Sequence, residues 1–447
     1  MPSIQFINHS SVLIKDKDTR ILCDPWYKGL AFQDGWALLH DQSHDINELN
    51  FDYIWISHEH PDHFSIATLT DLSKSTRFIY QKTKDNKVKN FLEQKGHEVI
   101  ILEDSIPKKI GDIELTLFIC DGYDSSLLCT FSDGKQFLNI NDARVDLPEE
   151  MNKIKKKIKN LDTAAVQFSY ANWAGNQQDV EIASHQQQLV DIKNIEICTE
   201  LKPNKLLLFA SFIYYCHEEN FYWNDNFWFN HVLEALEFKE TQFILPIPDQ
   251  DISIGTPVDN LQEKNTVALK FWKNLHRKAK PIIKTIPLNN LEELEEIYKS
   301  FFSNLWNKNS LESCITPTNE EFSLLVRIKD FDLTLELGLF TYKFLKSDEE
   351  PDCEMTSETL FFMLKNKFSR GTISVNSRLS FNYPSAHRFF IFFFIFYSNN
   401  IGIYFSTKQL TKKELRKISN TSIMTSIFKF NPRSQQNFED DLLRFKS

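Results

Sequence analysis

Four side chains that commonly bind metal ions crowd into one short segment of this chain. The segment follows a strand-like run at residues 51–56, and its metal-binding side chains are His58, His60, Asp62 and His63. In extended backbone, residues two apart project to the same side, so His58 and His60 can hold one ion, while Asp62 and His63 can reach a second. Imidazole and carboxylate ligands at this density indicate a hydrolytic zinc or iron site.

The segments before this cluster supply one more acidic residue. Residues 4–14 are predicted to form a strand that contains Asn8-His9-Ser10-Ser11, and residues 21–26 a second strand that carries Asp24 near its end. Together with the sequence HxHxDH at 58–63, these segments resemble the metallo-β-lactamase superfamily, whose hallmark is this motif at the end of a strand. The resemblance implies that Asp24 supports the metal-binding histidines by hydrogen bonding from behind.

Further ligands are expected at the ends of later strands. Asp142 ends the strand-like run Asn139-Ile140-Asn141 and is predicted to be a bridging ligand, with a turn-forming role as the alternative. The resemblance also implies a late histidine ligand, and His217, which directly follows the apolar run at 206–216, fits that place. The alternative is that His217, beside two glutamates, is a surface residue.

The chain departs from the superfamily at one position. Another histidine is expected after the strand-like run at 113–119, but none is present there. Asp121 or Asp124 could replace it, although carboxylate oxygen would move the site away from a purely imidazole zinc cage. The expected cofactor is therefore zinc, as one or two ions, with iron or manganese as alternatives.

The length of 447 residues favours two domains. Residues 1–259 alternate short strands with turns and a few helices, which predicts an α/β fold, and the resemblance makes it an αββα metallo-β-lactamase-like sandwich. Three prolines and a glycine in 246–259 mark a boundary. Residues 260–447 are predicted to form a smaller α+β domain, loosely similar to a sterol-carrier-like fold, that caps the metal cleft or selects the substrate.

Three local patterns add structural predictions. Residues 242–246 are expected to be the last strand of the first domain, and residues 371–379 to be a strand of the second. The run Phe389 to Tyr397 is far too short to cross a bilayer as a helix. It is predicted to be buried core, with a lipid-facing or partner-facing surface as the alternative.

Charge and cysteine content restrict the partners and the compartment. The net charge of -10 argues against a general nucleic-acid binder, which needs a surplus of Lys and Arg. Seven cysteines without CxxC pairs fit a reducing compartment, and residues 1–13 show no secretory signal, so a cytoplasmic location without a membrane span is expected. The expected partner is a small-molecule substrate, and the oligomeric state is not determined by the sequence.

Two further stretches are candidates for the substrate pocket. The segments 169–176 and 220–230 combine flat aromatic faces with amide donors and acceptors, and Trp173, Asn176 and Trp223 are the candidate binding residues. Sugar or nucleotide rings suit such surfaces. The alternative is that these aromatic side chains seal the boundary between domains.

The favoured function is a metal-dependent hydrolase that uses a metal-activated hydroxide on an ester-type bond, with Asp62 and His63 as catalytic residues. The neighbouring residues resemble the branch with ascorbate-phosphate lactonase-like enzymes and the metallo-β-lactamase part of sugar-nucleotide N-acetyl hydroxylases. Those hydroxylases need a Rieske centre, and this chain lacks its Cys-x-His and Cys-x-x-His pairs. The alternatives are a sugar-nucleotide oxygenase that depends on a partner and a non-catalytic scaffold with a degraded site.

Overall fold

The chain divides into two units, each assembled from several segments. The computed structural model describes residues 1–41, 45–120, 124–143, 145–169, 172–226, 241–311, 315–400, 402–405 and 410–445. The first unit comprises Met1–Tyr170, Ser184–Tyr214 and Asn224–Lys280, and the second comprises Ala171–Ala183, Tyr215–Trp223 and Pro281–Ser447. The predicted boundary after residue 259 falls within the first unit, and the domains 1–259 and 260–447 stay a prediction.

Two seven-stranded sheets organise the first unit, in the orders β16-β1-β2-β3-β5-β6-β7 and β15-β13-β12-β11-β10-β9-β8, and β4 pairs with β14. The strands are β1 (Ser3–Asn8), β2 (Ser11–Asp16), β3 (Thr19–Cys23), β4 (Trp36–Leu38), β5 (Tyr53–Trp55), β6 (Arg77–Gln81), β7 (Glu98–Leu102), β8 (Lys108–Ile110), β9 (Ile113–Cys120), β10 (Asp124–Thr130), β11 (Gln136–Asn141), β12 (Leu161–Gln167), β13 (Lys205–Phe209), β14 (Ile213–Tyr215), β15 (Gln242–Ile244) and β16 (Gln250–Ser253). The helices of this part are α1 (Ile66–Leu69), α2 (Lys87–Gln94), α3 (Pro148–Lys155), α4 (Val180–Thr199) and α5 (Leu261–Lys278).

The first sheet is buried on both faces because its apolar residues follow one another without polar alternation. In β3, Ile21 and Cys23 join the core shared with the second sheet, whereas Leu22 between them joins a core with α1 and α2. In β5, Trp55 joins the core shared with the second sheet, and Ile54 joins the core with α1 and α2. Successive strand residues point to opposite faces, so this pattern places layers on both sides of the sheet. The predicted sandwich is confirmed.

Parallel strands bring their carboxyl ends to one edge of the first sheet. β3, β5, β6 and β7 are mutually parallel, and loops at such an edge commonly hold ligands. The segment 4–14, predicted as one strand, is a hairpin of β1 and β2, because the chain reverses at His9, where φ is 39°. The prediction that 242–246 is the last strand is wrong, since β16 follows it and pairs with β1.

The second unit contains a five-stranded sheet in the order β19-β18-β17-β20-β21. Its strands are β17 (Ser323–Ile328), β18 (Leu333–Gly338), β19 (Phe344–Ser347), β20 (Cys353–Met355) and β21 (Ser380–Phe381), and its helices are α6 (Leu291–Asn309), α7 (Ser357–Lys365), α8 (Ser369–Asn376), α9 (His387–Asn400), α10 (Lys412–Leu415), α11 (Ser422–Phe430) and α12 (Arg433–Leu442). Residues Phe389 to Ile395 of α9 are buried in the core of this unit, so the prediction of buried core is confirmed. This is the predicted α+β class.

The strand predicted at 371–379 is wrong, because that stretch is mostly helix α8. Its β-branched residues favour a strand locally. The buried residues Ser369, Ile373 and Asn376, however, recur at spacings of four and three, which is the period of one helix face. Burial of that face outweighs the local preference. Among the described residues, no helix combines the length and the apolarity needed to span a bilayer.

Candidate metal centre

The candidate ligands lie on loops that follow strand ends. The segment Ser57–His63 follows β5, and Asp24 follows the parallel neighbour β3. Asp142 follows β11 of the second sheet. His9 and Asp24 both have left-handed backbone, with φ of 39° and 40°. Such strained turns are uncommon for residues with a side chain and concentrate at functional sites.

One cluster joins His58, His60 and Asp142. Their ligand atoms lie within 4.8 Å of one another. His58 Nε2 lies 2.8 Å from His60 Nδ1 and 3.5 Å from Asp142 Oδ2. His58 is buried, His60 is exposed and Asp142 is half-buried, so this cluster is open to solvent on one side. A molecule from solvent can therefore approach it.

A second, fully buried cluster joins His9, Asp62 and His63. Asp62 Oδ2 lies 3.3 Å from His9 Nε2 and 3.4 Å from His63 Nε2. His63 Nε2 is also 3.7 Å from Asp142 Oδ1, so Asp142 faces a histidine of each cluster. That is the position required of the predicted bridging ligand. His9 was not a sequence candidate, because its partner Asp62 lies 53 residues away.

Asp24 belongs to neither ligand cluster, but it accepts hydrogen bonds from residues that carry or orient the candidate ligands. It is fully buried, and its carboxylate accepts hydrogen bonds from Ser57 N–H and Ser57 Oγ–H, both at 2.7 Å, and from Asn141 Nδ2–H at 2.6 Å. His63 Nδ1–H donates to it at 3.1 Å. Because the Ser57 hydroxyl donates its proton to Asp24, Ser57 Oγ acts as the acceptor towards His58 Nδ1–H, at 2.9 Å. Asp24 thus contacts His63 directly and His58 through Ser57, and its role beside a bound metal stays a prediction.

These hydrogen bonds determine which histidine nitrogens can bind a metal ion. A neutral imidazole carries one proton. In His58 and His63, Nδ1–H donates to Ser57 Oγ and Asp24, so in the neutral ring the lone pair lies on Nε2. In His58 this lone pair accepts from His60 Nδ1–H at 2.8 Å. Both Nε2 atoms face the Asp142 carboxylate. The two rings are therefore oriented as metal ligands.

Burial also keeps two of the histidines neutral. Burial lowers the pKa of His58 well below its ordinary value, and repulsion from His63 and His60 adds to this. Burial likewise lowers the pKa of His9, although its hydrogen bond to Asp62 opposes the change. Neutral imidazole is the form that binds metal ions.

The charge balance of the site fits a cation. Burial disfavours charge on His63, yet Asp142, Asp62 and Asp24 together raise its pKa well above its ordinary value. Without a metal ion, a protonated His63 would offset only one of these three carboxylates. The buried atoms Asp62 Oδ1, Asp142 Oδ1 and His63 Nε2 have no hydrogen-bond partner among the described residues. The donor set therefore fits a divalent metal ion.

Several other predicted residues lie elsewhere or outside the described part of the chain. Asp121 falls outside the described residues, and Asp124 starts β10 and belongs to neither cluster. His217 is a fully buried residue of the second unit, and its role as a ligand stays a prediction.

The three candidate substrate residues belong to the second unit. Trp173 is fully buried in the apolar core of that unit. Asn176 exchanges two hydrogen bonds of 2.8 Å with the backbone of Phe381. Trp223 is half-buried beside the rings of Tyr215 and Tyr222. A role of these residues in substrate binding stays a prediction.

Comparison with known proteins matches part of this chain. Residues 3–125 match the family model described as Beta-lactamase superfamily domain. Cytidine monophosphate-N-acetylneuraminic acid hydroxylase of Danio rerio is 36% identical over 98 residues, which is 21% of this chain and 17% of that protein. A Mycobacterium tuberculosis protein whose name assigns it a Rieske 2Fe-2S iron-sulfur centre is 26% identical over 180 residues, 37% of this chain and 34% of that protein. The matches thus span about a third or less of these relatives.

Among solved structures, isothiocyanate hydrolase from Delia radicum gut bacteria has a TM-score of 0.40 and 14% identity, over 57% of this chain and 99% of that chain. This likeness is too weak to bear on the chemistry of the chain. The match over residues 3–125 covers β1 to β9 and the HxHxDH segment. The metallo-β-lactamase fold implies binding of a divalent metal, and the ligand clusters agree with this. The matched segment, the paired sheets and the ligand clusters together identify the chain as a metallo-β-lactamase-fold protein.

Proposed function

We propose that this protein is a metal-dependent hydrolase of an ester-type bond, such as a phosphodiester or a lactone, in a small substrate that contains a sugar or a nucleotide. The observation that carries the proposal is the pair of ligand clusters with Asp142 between them. His58, His60 and Asp142 would hold one ion, and Asp62, His63 and Asp142 a second. Zinc is the expected metal, with iron or manganese as alternatives.

A bound divalent ion lowers the pKa of coordinated water to about 7 and polarises the bond under attack. The side chains of the chain set up this chemistry. Asp24 and Ser57 keep the protons of His63 and His58 on Nδ1. His9 holds the Asp62 carboxylate at 3.3 Å. Because water coordinated to the metal would ionise near neutral pH, no separate strong base is required.

Elemental analysis of the purified protein tests this proposal. We expect one to two equivalents of zinc, iron or manganese. When His58 and His60 are both replaced by alanine, the protein should lose its metal and should no longer hydrolyse model phosphodiesters and lactones. His185→Ala, an exposed histidine on α4, is the matched control and should change neither. Less than about half an equivalent of metal, unrecovered on reconstitution, would contradict the proposal.

The relatives favour a second candidate, oxidation of a sugar nucleotide with electrons from a partner protein. One relative is named as a hydroxylase of a cytidine monophosphate sugar, and another is named for a Rieske centre. This chain lacks the paired ligands of such a centre, so a separate electron donor would be needed. Iron in freshly isolated protein would favour this candidate, whereas an active preparation that contains only zinc would exclude it.

A further inference from the structure

The ring of His217 is held by a backbone amide. Glu219 N–H donates a hydrogen bond to His217 Nδ1 at 3.2 Å. The Glu219 carboxylate is also near this nitrogen, but Oε2 lies 3.8 Å away, which is too long for a hydrogen bond. His217 Nδ1 is therefore an acceptor.

The turn that presents this amide is fixed within the second unit. His217 N–H donates to Asn220 Oδ1 at 3.1 Å, and Asn220 Nδ2–H donates to the Asn376 carbonyl at 2.7 Å. The buried Arg378 guanidinium donates to Glu219 Oε2 at 2.8 Å. These contacts hold the Glu219 amide on His217 Nδ1. The acceptor role of that nitrogen is thus built into the turn.

An acceptor at Nδ1 determines where the proton of the ring lies. Burial lowers the pKa of His217, and the nearby Arg378 charge lowers it further, so the ring is neutral. A neutral imidazole that accepts at Nδ1 carries its proton on Nε2. A ring that binds a metal through Nε2 carries its proton on Nδ1, as His58 and His63 do. His217 has the opposite arrangement.

His217 Nε2 is fully buried and has no hydrogen-bond partner in the described part of the chain. A ring nitrogen that carries a proton has no lone pair for a metal ion. We infer that His217 is not a metal ligand, because its Nε2 carries the proton and its Nδ1 lone pair accepts from the Glu219 amide.

Nitrogen-15 NMR of protein labelled in histidine tests the position of the proton directly. The His217 signals are assigned by their loss in His217→Gln. We expect a protonated Nε2 and an unprotonated Nδ1, unchanged when zinc is added, while the His58 and His63 signals shift. A proton on Nδ1, or a shift of the His217 Nε2 signal on zinc binding, would overturn the inference. The metal-free protein already gives the tautomer, so this result does not depend on the proposed function.

Metal stoichiometry gives an independent test. We expect His217→Gln to bind as much zinc as the wild type and the His185→Ala control, and His58→Ala to bind less. Loss of one zinc equivalent from folded His217→Gln would overturn the inference.

Discussion

At the scale of single residues, the sequence was informative where the site is continuous in the chain. His58, His60, Asp62 and His63 could be found because one loop carries them all. His9 and Asn141 could not, because their contacts with Asp62 and Asp24 span 53 and 117 residues. The only sequence signal for His9 was its place within a polar break in an apolar segment.

The tautomers of the histidines could not be predicted from the sequence either. A histidine at the end of an apolar run has the same appearance whether it binds a metal or donates a hydrogen bond. The difference lies in the partner of Nδ1, which is Ser57 Oγ for His58 and the Glu219 amide for His217. Such partners become visible only when the chain is folded.

Asp24→Asn should weaken metal binding about 10- to 100-fold. An amide has one acceptor oxygen and would turn its NH2 group towards donors that the carboxylate now satisfies. The expected loss of stability is about 2–4 kcal/mol, because four buried donors lose a charged acceptor. Zinc affinity by chelator competition and urea denaturation measure both effects. Asp251→Asn, an exposed residue of β16, is the control, and equal zinc affinity in the two variants would contradict this prediction.

At the scale of helices and strands, local patterns predicted elements more reliably than their ends or partners. The strand predicted at 21–26 overlaps β3, and the strand predicted at 242–246 contains β15. The pairing of β16 with β1 was missed, because it joins residues about 250 positions apart. Hydrophobic runs show that a segment is buried, but they do not show which distant strand it pairs with.

Helix α5 should be essential for the stability of the first unit. Trp272 on this helix is fully buried, stacks on Phe212 at 4.0 Å between ring centres, and donates from Nε1–H to the Pro246 carbonyl. Trp272→Ala should lower the free energy of unfolding by about 3–5 kcal/mol. Val267→Ala, at an exposed position of the same helix, should change it by less than about 0.5 kcal/mol. Similar urea midpoints for the two variants would show that the helix adds little.

Helix α9 should have the same importance for the second unit. Phe392 is fully buried and stacks nearly parallel to Phe301 of α6. We expect Phe392→Ala to destabilise the protein by about 3–5 kcal/mol, because the cavity adds to the lost transfer energy. Leu345→Ala in β19, where the side chain is exposed, is the matched control. Circular dichroism during urea denaturation distinguishes the two, and a loss below about 1 kcal/mol in Phe392→Ala would argue against a packed core.

At the scale of the whole molecule, the metal chemistry is concentrated in one of the two units. The ligand clusters belong to the first unit, whereas the second has its own apolar core. The sequence beyond residue 260 carries only His276 and His387 and a heavy load of Phe, which is why a separate apolar domain is expected there, but the boundary after residue 259 stays a prediction. The sequence did not show that segments 171–183 and 215–223 join the later part of the chain, because pairing between distant segments leaves no local pattern.

Removal of the metal should therefore affect the two units differently. A ligand that binds only the folded state stabilises it by about 2.7 kcal/mol at a concentration one hundred times its Kd. Because the proposed ligands lie in the first unit, zinc should slow amide hydrogen exchange in β5 and β11 and leave β17 and β18 nearly unchanged. Mass spectrometry of exchanged peptides, with zinc and with chelator, measures this. An equal gain in protection at β17 and β18 would show that the second unit takes part in metal binding, and a gain confined to residues 216–220 would restore His217 as a ligand.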